Sequence, residues 1–542
     1  MKYEKITITK ERFIVSLIYK EDKNKKKDKS SNSFLVDFNL ETYYQLLDDL
    51  GLDDTWNLII KELRNNTLAE INKTFLHFDD IGELYEIGLA YTNKIQKKEM
   101  GKYYTPTDVS NVMAKLLLEQ EDITKLADVA CGTGNLIIEV IKEINKTKKL
   151  DVVNFIKEGN LYLYDLDLLA IKICVAKIEL LLDEDLIDYI NIIPGDFLNK
   201  SIELPNDVTV ITNPPYSLFK TFKRSWTKSE VAMQSKDLYA SFIDKILDKS
   251  IWSVIVSPQS FLVSDKFSLL REKIGQNFSG EIFSFDNVPG TLFNGRKHGI
   301  FNTNSANGVR ASISLIKNNG ITGFRLSHLI RFRSEQRKNV INLRFLRSKL
   351  GRISQDLSRP LKIFKELEPL VYDVLNSNHM TVADLIESDP KNQKDELRLS
   401  VSTSARYFTV VSKSELDRNG QFQIYAKNND YLLILYALLS SSYVYMWWRI
   451  YDGGILFTRR WLMKTPIKKE ILNKNKELDD IIINMIKNER NYLSYKKNAG
   501  KKQESIKFPN KYREKLNQVL FPKYAEKMEL THRNNEVLRN AK

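Results

Sequence analysis

The sequence predicts an α/β protein of the doubly wound class, preceded by a mixed N-terminal region and followed by a basic C-terminal part. Three observations carry that prediction. From Leu126 onward short apolar runs alternate with amphipathic ones, the signature of parallel strands joined by crossover helices. The 542 residues are 42% hydrophobic and 28% charged, which sets the chain among globular proteins with ample core and apart from disordered or fibrous ones. The charge is unevenly divided: residues 321–542 hold 42 Lys and Arg against 24 Asp and Glu, leaving 41 against 45 for residues 1–320. All of the excess positive charge therefore falls in the C-terminal part.

Taken in order, residues 1–75 form a mixed region whose lysine-rich stretch "KEDKNKKKDKSSNS" (20–33) is expected to be an exposed loop. A helical pattern, "DDIGELYEIGLAYTNKIQKKEM", leads into "GKYYTP" (101–106). Then come the strand "KLADVA", the helix "NLIIEVIKEI", the strand "NLYLYD", the helix "LDLLAIKICVAKIELLL" and the strand "INIIPGD". The alternation continues through "VTVIT", the helix "KDLYASFIDKILD", and the strands "SIWSVIVS", "EIFSFD" and "ASISLI". Domain boundaries are placed at 75/76 and 320/321. In the last part, "YLLILYALLSSSYVYMWW" (431–448) is read as a buried helix, because three serines interrupt it. Residues 484–516 read as helical and charged, either a partner surface or a solvated helix. Two cysteines, Cys131 and Cys174, give no disulfide framework, and five histidines show no paired metal spacing, so no metal is expected. The N-terminus lacks the apolar core of a signal peptide, and a cytoplasmic protein is expected.

Ligands of doubly wound sheets bind at the carboxyl ends of the strands. The first strand ends in "ADVACGTGNL", where Gly132 and Gly134 permit a tight turn that opens a helix with free N–H groups. The second ends at Asp165, placed to accept both hydroxyls of a ribose; the third ends at Asp196 and Phe197, an acceptor for an exocyclic amine and a ring to stack on a base. Each has a plain structural reading as a cap or turn. Three successive strand ends together describe a nucleoside pocket.

The fourth strand runs into "NPPY" (213–216). Two prolines hold the chain extended just past the strand and leave carbonyls without intrachain donors. Asn213 adds a side-chain carbonyl and Tyr216 a flat face, so the loop reads as a socket for the amino group of a planar heterocycle.

"NPPY" together with "DVACGTGN" resembles the S-adenosylmethionine-dependent amino-methyltransferases that act on adenine N6 of DNA. "LYEIGLAYTNKIQKKEMGKYYTP" is similar to the lead-in of type I and type IIG restriction-modification methylases, and the motif order matches their γ class. The resemblance covers residues 78–320 and implies a seven-stranded methyltransferase sheet with a C-terminal target recognition domain. It implies that Tyr103, Thr105, Asp128 and the turn from Ala130 through Gly132 to Gly134 hold the methionine moiety. Asp165 would hold the ribose, and Asp196 and Phe197 the adenine of the cofactor, with Pro215 and Phe242 bordering it. Asn213 and the Pro214 carbonyl would hold the target amine, favouring its rehybridisation toward sp³ for direct in-line transfer. Tyr216 would stack on the extruded base and Phe293 on its other face, with Phe301 competing for that place. Cys131 is read as a packing or cofactor-wall residue.

The cofactor is thus expected to be S-adenosyl-L-methionine and the partner double-stranded DNA, with Arg331, Arg333, Arg337, Lys338, Arg344 and Arg347 as backbone contacts; a solvated basic face is the alternative for that run. Methylation of cytosine N4, for which the family tends to carry Ser in place of Asn213, remains open, as do RNA or protein-glutamine substrates and an idle DNA-binding subunit. The acidic pairs Asp48-Asp49 and Asp53-Asp54 lack the Pro-Asp and Glu-x-Lys pattern of a nuclease core. No cleavage activity is expected: the chain is either the modification partner of a separate endonuclease, with a specificity subunit as a further possible partner, or a solitary or phage-defence methylase.

Overall fold

The computed structural model describes residues 105–532 except 121, 294–308, 406, 453, 455 and 499–500. The expected N-terminal region, its lysine-rich loop and the helical lead-in lie outside the described residues, as do Tyr103 and Phe301.

The first nine strands among the described residues are β1 (Leu126–Asp128), β2 (Leu161–Asp165), β3 (Asn191–Pro194), β4 (Val208–Thr212), β5 (Ser250–Pro258), β6 (Ser279–Phe285), β7 (Ala311–Lys317), β8 (Gly323–Ile330) and β9 (Leu350–Ser354). The chain divides into two compact units, one of Met1–Pro258 with Thr291–Ile321, the other of Gln259–Gly290 with Thr322–Lys542.

In the first unit the strand order is β3-β2-β1-β4-β5-β7. β1 pairs in parallel with β2 and β4, β2 with β3, and β4 with β5, while β7 runs antiparallel to β5. The order reverses at β1, the switch point at which such sheets bind ligands. β4 is buried at every residue and β1 likewise, as expected for strands covered on both faces by helices. Helices Asn135–Thr147 and Leu168–Leu182 are the crossovers on either side of β2; the first buries Leu136, Ile137, Val140, Ile141 and Ile144, an i, i+1, i+4, i+5 stripe.

The second unit contains β6 and β8, paired in parallel, and β9, antiparallel to β8. The expected boundary at 320/321 lies one residue from the observed break at Ile321/Thr322; the difference is that Gln259–Gly290 also belongs to the second unit, because β6 pairs with β8 from Ser279↔Gly323 to Phe285↔Ile330. Helices and antiparallel strands make up the rest of this unit, including the sheet of Arg398–Ser402, Val411–Ser412 and Gln421–Tyr425. The apolar stretch at 431–448 is two helices, Asn429–Ser440 and Tyr443–Tyr451, bent by 63° at Ser441 and Ser442. Both are buried, and together they are the one helix pair among the described residues with the length and composition of a span; no single described helix reaches that mark. Residues 484–516, expected to be helical throughout, instead contain the hairpin of Leu493–Asn498 and Lys501–Ile506 before helix Asn510–Leu520.

Candidate active site

β1 delivers Asp128 to the switch point, 1% exposed. Its Oδ1 accepts from the Ala130 N–H at 3.1 Å, while its Oδ2 is buried without a hydrogen-bond partner among the described residues. Burial pushes the Asp128 carboxyl up to about 7, against the help of the Ala130 N–H and the neighbouring Thr212. The turn then closes through the Cys131 N–H to the Tyr164 carbonyl and the Gly134 N–H to the Cys131 carbonyl, both 2.9 Å. Gly132 has φ +51°, and an added Cβ there would meet no described residue within 4 Å. Gly134 (φ +89°) is constrained twice, by its left-handed backbone and by the Cys174 Sγ, which a Cβ would approach to 2.5 Å. Cys131 is buried and its thiol is held well above the ordinary range by that burial and by Cys174, which fits packing and not nucleophilic attack.

β2 brings Asp165 to the same turn. Asp165 Oδ2 accepts from the Gly132 N–H and Oδ1 from the Asp167 N–H, each at 2.9 Å. The carboxylate is thereby fixed in place at the shared ends of β1 and β2. Its own carbonyl accepts from Gly195 N–H at 2.8 Å, tying the end of β2 to that of β3.

Past β3, Asp196 is already engaged: its Oδ2 accepts from Lys223 Nζ at 2.7 Å and from Trp226 Nε1 at 2.8 Å. Phe197 is buried, 4.9 Å from Phe242 and 5.7 Å from Tyr164 between ring centroids, with Lys245 Nζ 4.7 Å over its ring. Phe197 is thus a wall within an aromatic cluster and not the open stacking face the sequence predicts; Phe242 is buried beside it. Lys245 donates to the carbonyls of Phe197, Asn199 and Ile202, and burial lowers it to about 8.

At the end of β4, Asn213 Nδ2 donates to Thr105 Oγ1 at 2.9 Å. Thr105, expected to hold the methionine moiety, therefore also sets the plane of the Asn213 amide. Pro214 is buried, and Pro215 and Tyr216 are half-buried. The Tyr216 hydroxyl donates to the Val256 carbonyl at 3.1 Å, and its ring meets Tyr239 and Phe293 edge-on at 6.2 and 6.1 Å. Phe293 is 1% exposed. It packs against Tyr216 from within, a position that differs from the expected second face of a base sandwich.

The described site residues Thr105, Asp128, Gly132, Asp165, Asp196 and 213–216 thus lie at neighbouring carboxyl ends of β1 to β4. Lys223, Trp226 and Lys245 are residues that sequence reasoning missed; the Lys and Trp among phenylalanines in "LFKTFKRSW" were the available signal.

The expected DNA contacts divide. Arg333, Lys338 and Arg344 are exposed and Arg337 half-buried. Arg347 Nε donates to Glu281 Oε2 at 2.9 Å. Arg331 is a correction: at 2% side-chain exposure it donates through Nε to the buried Asp286 Oδ2 at 2.7 Å, because it follows the end of β8 with its side chain inward. A backbone phosphate has no access to it.

The burial of Asp128 has a testable consequence. A carboxyl raised to about 7 in the folded chain, against about 3.9 unfolded, keeps its proton folded while the unfolded chain loses it. Its contribution to stability is therefore greatest at low pH and declines as pH rises from about 4 to about 7. Asp128→Asn is expected to raise the unfolding free energy of the ligand-free protein on the order of 1–3 kcal/mol near pH 8 and to change it little near pH 4; denaturant melts at the two pH values check this, and equal effects at both would disprove it.

Residues 76–255 match the family model described as N-6 DNA Methylase. The methylase subunit of the type I restriction enzyme MpnII from Mycoplasma pneumoniae is 30% identical over 153 residues, 26% of this chain and 26% of that protein. The type II methyltransferase M.VspI from Vibrio sp. is 29% identical over 203 residues, 36% of this chain and 44% of that protein. The matches thus span less than half the length of either relative. Among solved structures, the type IIG restriction endonuclease BpuSI is similar at 12% identity and a TM-score of 0.40, over 84% of this chain and 68% of that one. Residues 76–255, which hold the glycine turn, Asp165, Asp196 and the Asn-Pro-Pro-Tyr loop, are thus similar to the N-6 DNA Methylase family.

Proposed function

We propose that the protein transfers a methyl group from S-adenosylmethionine to the N6 amine of adenine in duplex DNA, as a cytoplasmic γ-class methylase serving a restriction-modification or phage-defence system. The observation that carries the reading is the placement of Asn213 at the end of β4, its amide held by Thr105 at 2.9 Å, beside strand ends that present Asp128, Gly132 and Asp165.

The residues fit the cofactor. Two buried carboxylates, one with an oxygen that has no hydrogen-bond partner among the described residues, suit a ligand bearing an ammonium group and ribose hydroxyls, and no described residue fills the space beside Gly132. Asp128 and the turn from Ala130 to Gly134 would hold its amino-acid end and Asp165 its ribose. Asp196, Phe197 and Phe242 would border its adenine, and Pro215 would lie beside it. When bound, S-adenosylmethionine supplies an electrophilic methyl group on a sulfonium.

The chain's own work is positioning. Asn213 and the Pro214 carbonyl hold the target amine in the plane in which its lone pair turns from the ring toward the acceptor. Tyr216, anchored by its hydroxyl to Val256, offers a ring to the extruded base. Arg333, Arg337, Lys338, Arg344 and Arg347 are assigned to the DNA backbone, and a specificity subunit or separate endonuclease is the assigned protein partner. Residues 76–320 and 321–542 keep their functional assignment as catalysis and recognition, with β6 accompanying the latter part.

The test is incubation of the purified chain with tritiated S-adenosylmethionine and unmethylated genomic DNA, followed by nucleoside analysis and modification-aware sequencing. Label in N6-methyladenine is expected. Label in N4-methylcytosine alone would overturn the base assignment.

A further inference from the structure

Residues 217–229, which follow the Asn-Pro-Pro-Tyr loop directly, carry Lys220, Lys223, Arg224 and Lys228 and no acidic residue. An exposed basic loop is commonly a solvated one, but this segment has a core of its own. Phe219, Phe222 and Trp226 meet edge-to-face, at 4.9 Å and 78°, 5.1 Å and 89°, and 6.0 Å and 82°, the arrangement in which ring edges and faces attract. The backbone is stapled at both ends: Phe219 N–H to the Lys236 carbonyl at 3.1 Å, Lys200 N–H to the Ser225 carbonyl at 2.9 Å, and Thr227 N–H to the Leu198 carbonyl at 3.0 Å. Trp226 Nε1 and Lys223 Nζ are moored on Asp196 Oδ2.

That construction divides the four cations. Lys223 is neutralised by Asp196 at 2.7 Å. Lys220, Arg224 and Lys228 are exposed and make no ion pair among the described residues. Beside them Leu218 stands 70% exposed, two residues beyond Tyr216. Three cations close together in sequence on one braced loop give that surface a positive potential that favours an approaching anion. A rigid loop loses little conformational entropy when such an anion arrives.

We propose that residues 217–229 form a phosphodiester-binding surface on the catalytic unit, with Lys220, Arg224 and Lys228 gripping the nucleic-acid backbone next to the base that enters the Tyr216 site. The proposal rests on the reading of that site as one for a base drawn from DNA, and adds a contact that lies outside the basic C-terminal part.

The test uses the full-length protein and a short fluorescein-labelled duplex of mixed sequence, with Kd measured by anisotropy over a series of salt concentrations. Each phosphate contact contributes about 0.9 to the slope of log Kd against log salt, so Lys220→Ala/Arg224→Ala/Lys228→Ala should make that slope shallower by about 2 to 3. Lys220→Arg/Arg224→Lys/Lys228→Arg should restore it, and Lys146→Ala/Lys148→Ala, in the last turn and at the C-cap of helix Asn135–Thr147, should leave it alone. An unchanged slope in the folded triple variant, or an equal fall in the control pair, would overturn the proposal. Because the slope counts phosphates whether or not the methyl is transferred, failure of the methylation assay with a shallower slope would refute the base reading and support this surface.

Discussion

Asn213→Ala is expected to lower the methyl-transfer rate by at least about 10²–10³-fold, the scale of removing one preorganised hydrogen-bonding group from a reacting centre, while leaving S-adenosylmethionine affinity nearly unchanged. The separation follows from the connections of the site. Asn213 is bound to Thr105, whereas the glycine turn is braced by Asp165 and Asp165 by the backbone of Asp167; removing the amide touches none of these. Thr105→Ala should give a smaller loss of rate, because the Asn213 acceptor survives and its orientation is released, together with weaker cofactor binding, since Thr105 is assigned to the methionine moiety. Single-turnover rates with tritiated cofactor, set beside calorimetric cofactor binding, make the comparison. Loss of rate and binding together would mean that the Asn213 amide holds the end of β4 in shape and is not a contact to the target amine.

How much of this was legible in the sequence depended on how local each cause is. The alternation of β1 to β5 with their helices was readable because a strand buried on both faces must be a continuous apolar run, and "VTVIT" is one. Gly132 and Asp165 could be paired across about thirty residues because β1 and β2 are parallel neighbours, so their carboxyl ends meet. Asp196 was placed at the right strand end but given a ligand's amine, since nothing near it in sequence betrays that Lys223 and Trp226 return to its carboxylate. Phe197 and Phe293 were assigned as stacking rings from residue type, and burial, which decides whether a ring has a free face, is set by the packing of distant elements. The basic run from Arg331 to Arg347 mixes exposed and buried cations because it begins just past the end of β8 and continues through short helical turns.

Arg331 leads to the second large effect, Asp286→Ala, expected to destabilise the protein by about 3–5 kcal/mol. Asp286 lies just past the end of β6, 0% exposed, and its Oδ2 takes both Arg331 Nε at 2.7 Å and Arg449 Nη1 at 2.6 Å, with the two arginine side chains 2% and 1% exposed. Arg449 also donates to the Leu329 carbonyl at 3.1 Å, and Asp286 N–H to the Ile330 carbonyl at 2.9 Å, so one carboxylate joins β6, the end of β8 and helix Tyr443–Tyr451. Truncating it takes from two buried guanidinium groups the carboxylate they share, and an arginine cannot shed its proton to escape. For a unit of this size the loss corresponds to a fall of roughly 10 °C in melting temperature, which calorimetry would read directly. Arg331→Ala removes one of the two cations and should destabilise less, and it should leave the salt dependence of DNA binding unchanged, whereas a true phosphate contact would lower the slope by about 0.9. A shallower slope with an unaltered melting temperature would reverse the assignment and return Arg331 to the nucleic-acid surface.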